Sequence, residues 1–118
     1  MVAVNDEFDF TSPRKIGSTV FDHVFTELTD LRPGARLRTL AVLSAASKGQ
    51  SLSVRADSAF RELVLFTPPH RKAIAIEPYT CSADAANLAG RGISSGWQVL
   101  PPGSQFSAGV EYCVGGLN

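Results

Sequence analysis

Apolar positions along this chain fall in short runs, several of them alternating with polar ones, and Pro and Gly clusters separate the runs. Leu52, Val54 and Ala56 alternate with Ser51, Ser53 and Arg55, the period of a half-buried strand. Arg36 to Leu43 alternates at first and then becomes apolar throughout, and Lys48-Gly49-Gln50 supplies a turn, so these two segments predict a hairpin. Val20, Phe21, Val24 and Phe25, around Asp22 and His23, give the segment Thr19 to Leu28 the β-branched and aromatic content of a strand. Phe60 to Phe66 is another apolar strand, closed by Pro68-Pro69, and Trp97 to Leu100 and Gln105 to Val114 complete the set. Phe8 and Phe10 suit a short strand or an extended arm, punctuated by Pro13 and Gly17. Asp30 to Gly34 carries the turn signal Pro33-Gly34. Ser82 to Leu88 fits a short helix or 3₁₀ turn with Ser82 as N-cap, and Gly115 to Asn118 are expected to fray. Short strands at hairpin spacing with almost no helix predict an all-β fold, an antiparallel sheet or sandwich.

The stretch Lys72-Ala73-Ile74-Ala75-Ile76-Glu77-Pro78-Tyr79-Thr80 stands out, because its apolar run ends in a carboxylate and then a proline. In a strand, Ile74 and Ile76 fill one face while Ala73, Ala75 and Glu77 share the other. Small neighbours leave space in front of the acid. Pro78 has no N–H to donate, so the strand is expected to stop beside Glu77. Two readings stay open from these residues: a strand-end glutamate facing water, or a catalytic base.

Composition narrows the setting. A chain of 118 residues holds one domain, and its 11 basic and 11 acidic residues cancel, which gives no surface for nucleic acid or a membrane. No apolar run approaches the roughly 20 residues that span a bilayer, and the polar N-terminus has no signal-peptide core. Cys81 and Cys113 lack metal-ligand spacing and a close His partner, and we read both as free thiols of a cytoplasmic protein in preference to a disulfide.

Several pieces together resemble the aldose 1-epimerase, or galactose mutarotase-like, family. They are Phe8-Asp9-Phe10-Thr11-Ser12-Pro13-Arg14-Lys15-Ile16-Gly17, Phe21-Asp22-His23-Val24-Phe25, and Ala75-Ile76-Glu77-Pro78-Tyr79-Thr80-Cys81. The ending Gly96-Trp97-Gln98-Val99-Leu100-Pro101-Pro102-Gly103, followed by Phe106 and Tyr112, is the fourth. The resemblance covers nearly the whole chain, and it implies that residues 1–118 correspond to the C-terminal part of the family's domain, a large antiparallel β-sandwich. It implies cofactor-free interconversion of the α and β anomers of a free aldose. That chemistry needs a base for the anomeric hydroxyl and an acid for the ring oxygen. By motif, Glu77 resembles the family's base and Asp22 its sugar-hydroxyl-binding acid.

The departures are part of the expectation. The family's acid histidine and a second sugar-binding histidine lie upstream of the Phe-Asp-Phe stretch and have no counterpart here. A glutamine of the family in the strand before that of the glutamate, which often touches sugar, is replaced by Val64 or nearby Glu62. His23 should face away from Asp22, and His70 lies in a Pro-rich loop that would have to fold back to reach the site. Trp97 is expected in the core, with Arg14, Lys15, Arg71 and Lys72 on solvated faces. Impaired turnover follows, with a monosaccharide as partner and self-association through uncovered strands. The alternatives are a non-catalytic carbohydrate-binding module and a structural remnant.

Overall fold

The computed structural model describes residues 2–29 and 34–116. Among the described residues, six strands form two antiparallel sheets of three, in the order β1(Asp22–Phe25)-β4(Glu62–Phe66)-β5(Ala75–Tyr79) and β2(Arg38–Ala45)-β3(Gln50–Ala56)-β6(Val110–Gly116). Apart from a 3₁₀ turn at Ala46–Lys48, the only helix among the described residues is α1(Ala85–Gly90). The chain is thus mostly strand, as its alternation predicts.

The β2–β3 hairpin forms where expected, with Ala45 opposite Gln50 and a register shift between Thr39 and Ala41. Gly49 closes its turn at φ 59°, a left-handed conformation that favours a residue without Cβ. On this sheet Val54 and Ala56 are fully buried, and their neighbours Arg55 and Glu111 pair at 2.7 Å on the other face. In the first sheet the alternation sends Phe21 and Leu63 inward. Phe8 and Phe10 form an arm and not a strand, and their rings lie 6.1 and 5.2 Å from that of Phe21. The Phe21 and Thr67 backbones and the Thr67 hydroxyl close this corner: the Thr67 N–H donates to the Phe21 carbonyl and the Phe21 N–H to Thr67 Oγ1, each at 2.9 Å.

Several expectations need correction. Trp97 to Leu100 is irregular, and Trp97 is 53 % exposed, because the segment runs over the surface without a strand partner. The last strand starts at Val110, and Gly115 and Gly116 do not fray because they pair with Ser51 and Gln50. The helix starts after Asp84, and Ser82 turns its hydroxyl to Glu62 instead of capping. Arg14, Lys15, Arg71 and Lys72 are exposed as expected, and Arg71 in addition donates to the carbonyls of Thr19 and Gly17, each at 2.8 Å. Arg14 stacks 4.6 Å over the Phe10 ring. The turn residue Pro33 and the terminal Leu117 and Asn118 lie outside the described residues.

The core is small. Only Phe21, Val54, Ala56, Leu63 and Ala85 are buried apolar residues among those described. A radius of gyration of 16.0 Å exceeds the about 13.5 Å expected of a closed domain this long.

Candidate functional site

Strand register decides which side chains meet. Asp22 pairs with Phe66 and Val24 with Val64, while Val64 pairs with Glu77, Phe66 with Ala75, and Glu62 with Tyr79. Opposed residues point to one side, so Asp22, Val24, Glu62, Val64, Phe66, Ala75, Glu77 and Tyr79 share one face of the β1-β4-β5 sheet. His23, Phe25, Leu63, Leu65, Ile76 and Pro78 share the other. The two predicted site residues, Asp22 and Glu77, therefore stand on one surface. Two strands across and two residues along put their Cα atoms about 12 Å apart.

Contrary to expectation, Pro78 does not end the strand, which runs on to Tyr79. The physical reason is parity. The Thr67 N–H bond to the Phe21 carbonyl makes the odd residues of β4 face β1 with their backbone groups, leaving the even ones for β5. Glu77 and Tyr79 then make the ladder bonds to Val64 and Glu62. The nitrogen of Pro78 points off the outer edge, where no donor is needed.

Extending the strand by two residues brings Tyr79 onto the face beside Glu77. The Tyr79 hydroxyl donates to Glu77 Oε2 at 2.9 Å. That bond, then the carboxylate's charge, push the phenol's pKa above its ordinary value. Sequence reading missed Tyr79 because it closed the strand at Pro78; only the outer position of β5 lets the period of two run on from Glu77 to Tyr79.

Glu62, which the sequence suggested only beside Val64 in place of the family's glutamine, also belongs to this face. It is 4 % exposed, its Oε1 accepts from the Ser82 hydroxyl at 2.5 Å, and its Oε2 has no partner among the described residues. Its position follows from β4, which enters the sheet beneath a loop pinned by small contacts. The Ser82 N–H donates to the Ser95 carbonyl at 2.8 Å, and the Ser95 hydroxyl to the Ala85 carbonyl at 2.8 Å.

Neither histidine joins Asp22 and Glu77. His23 lies on the opposite face with its ring 4.1 Å from that of Phe8, and its Nδ1 accepts the Asp22 N–H at 3.0 Å. His70 accepts the Lys72 N–H in the β4–β5 connection, and Arg71 ties that connection to Gly17 and Thr19. That same anchoring forms a cleft of about 470 Å³ between Ile16, Gly17, Leu43, Thr67 and residues 71–74, and neither Asp22 nor Glu77 lines it.

The face carries the carboxylates of Asp22 and Glu77, a phenol, and the partly exposed Phe66 and Val24, with Glu62 buried at its edge, and its strand residues include no Lys or Arg. It offers acceptors and apolar surface. Such a surface suits a neutral molecule rich in hydroxyl donors and repels phosphate. Among the described residues no group of three His, Cys, Asp or Glu side chains could hold a metal ion, and no helix is long and apolar enough to cross a membrane.

Comparison with protein-family models, with curated proteins and with solved structures finds no match to this chain.

Proposed function

We propose that the face of β1, β4 and β5 binds a free aldose, as the aldose 1-epimerase resemblance implies, within a galactose mutarotase-like sandwich. Glu77 is the base for the anomeric hydroxyl, and Asp22 orients the ring through its other hydroxyls. The observation that carries this reading is the register, which sets Asp22 and Glu77 on one face and His23 on the other. The supporting features are the Tyr79 bond that fixes the Glu77 carboxylate, and the lack of Lys and Arg among the β1, β4 and β5 residues of that face.

With no imidazole beside these acids, the ring oxygen takes its proton from water. A missing general acid lowers turnover by about 10²–10⁴-fold. The test is polarimetry of freshly dissolved α-glucose and α-galactose with the wild-type protein and Glu77→Gln. Slow catalysed mutarotation that Glu77→Gln abolishes supports the reading. An unchanged rate in the variant removes Glu77 from the base role.

The openness of the face favours a second reading, a carbohydrate-binding module without turnover, since the cleft beside Arg71 encloses neither Asp22 nor Glu77. Saturable sugar binding that survives Glu77→Gln, with no rate above the spontaneous one, selects it.

A further inference from the structure

Four strand edges bound the two sheets, and three of them are blunted. Pro78 removes a donor from the outer edge of β5. On β1, four residues long, the His23 ring takes up the outward N–H of Asp22. A register shift between Thr39 and Ala41 bends β2. These are the devices by which proteins keep edges from pairing. The fourth edge, β6, has none. It is seven residues long, straight in register, and free of Pro and Lys, and its one charge, Glu111, is tied to Arg55 at 2.7 Å.

Which backbone groups β6 leaves open follows from one hydrogen bond. The Asp57 N–H donates to the Gly109 carbonyl at 3.1 Å, one step beyond the Ala56–Val110 pair. Residues 111, 113 and 115 therefore bond to β3, and residues 110, 112, 114 and 116 direct their N–H and C=O groups outward. The side chains of those outward residues include Tyr112 and Val114, 58 % and 81 % exposed, on the same face as the buried Val54 and Ala56.

We propose that β6 is a dimerisation edge: two copies pair β6 with β6, antiparallel, about a twofold axis at Cys113, joining two three-stranded sheets into one of six. Cys113 is the midpoint of Val110–Gly116, so full-length self-pairing must put the axis there. The hydrogen-bonding parity agrees. Tyr112 of one copy and Val114 of the other become a hydrogen-bonded pair, aromatic against β-branched, which is a favourable cross-strand match. Val110 meets Gly116 in the same way. Cys113 meets its own copy at a pair without ladder bonds, where Cα atoms lie about 4.5 Å apart. Glu111 faces Gly115, so like charges do not meet.

Size and charge favour a second copy as the occupant. The chain exposes 8581 Å² at 12.6 kDa, whereas a closed chain of that mass exposes about 6,200 Å². The excess on one copy is larger than the about 1,200–2,000 Å² a standard interface covers in total. Zero formal net charge leaves no global repulsion between copies.

The experiment uses the full chain in a Cys81→Ser background, with mass measured by light scattering during size-exclusion chromatography. We expect a twofold mass that falls to the monomer on dilution. Val114→Pro removes an outward N–H without touching a bond to β3, and Val114→Lys places a charge against the partner's Tyr112; both should give the monomer mass. Diamide, which takes up the two hydrogens released when two thiols join, should convert the dimer to a covalent one through Cys113. An exposed control, Ser47→Cys with Cys113→Ser, should cross-link far more slowly. Monomer mass at every concentration, a dimer that persists in both Val114 variants, or equal cross-linking of the control overturns the proposal.

Discussion

Tyr79 and Glu77 sit two residues apart on one strand face, and their hydrogen bond makes each a probe of the other. The phenol's pKa is raised from 10.0, first by that bond and then by the Glu77 charge. The protonated phenol is the form the fold favours. Its stabilising effect is complete below the ordinary phenol pKa and disappears as pH rises through the raised value. In a Tyr112→Phe background, ultraviolet titration should show the Tyr79 midpoint falling back toward its ordinary value in Glu77→Gln. A midpoint that does not move means the bond is not made in solution. Asp22 is exposed on the same face. Replacing it by Asn keeps its shape and removes its charge, and exposed substitutions of this kind change stability by within about 0.5 kcal/mol. Sugar affinity should fall while the melting temperature stays near that of the wild type. A large loss of stability with affinity unchanged would mark Asp22 as a structural acceptor.

The segment after β5 shows how one residue can hold an element in place. Gly96 has φ +75°, and a Cβ there would lie 2.6 Å from Arg61 Cδ and 2.8 Å from the Thr80 carbonyl oxygen. Arg61 can yield, but the Thr80 backbone belongs to the exit of β5 and cannot. Gly96→Ala therefore adds the left-handed penalty of about 1–2 kcal/mol for a residue with Cβ to a clash with main chain. Chemical denaturation should show a loss above that range, and the Ser95 contacts that lie over Glu62 should loosen with it. A loss under 0.5 kcal/mol (about the scatter of neutral surface changes) would show that the loop has room to shift. The Gly-Trp pattern at 96–97 was visible in the sequence, but the sequence could not show that Gly96 is pressed against β5 while Trp97 stays outside.

For the whole molecule, the small buried core and the large exposed surface have measurable consequences. Val42, Tyr112, Val114, Val99 and Leu100 are all more than half exposed. Leu63, by contrast, is buried, and Leu65, Ile74 and Ile76 are partly covered. An apolar dye should bind the chain at neutral pH. Unfolding in urea should be shallow, with a slope at or below about 1 kcal/mol/M, since the slope scales with the surface newly exposed. A steep, cooperative transition without dye binding would show that these strands close a core of their own.

Alternation alone determined that the chain is mostly strand, the β2–β3 hairpin and the opposite orientation of Asp22 and His23, because side-chain direction within a strand depends only on the local period of two; it could not show that Trp97 to Leu100 finds no strand partner. The same rule named Glu77 as the polar member of its face. Only the tertiary structure decided which strands are neighbours, and with that the meeting of Asp22 and Glu77 on one sheet. Pairing is non-local: nothing in the sequence near Pro78 says that its nitrogen faces an edge, so the extension to Tyr79 was illegible. Glu62 is buried for a similar reason, since its partner Ser82 arrives from beyond β5. The bare edge of β6 is a property of the assembled sheet, visible only once the order β2-β3-β6 leaves that strand outermost.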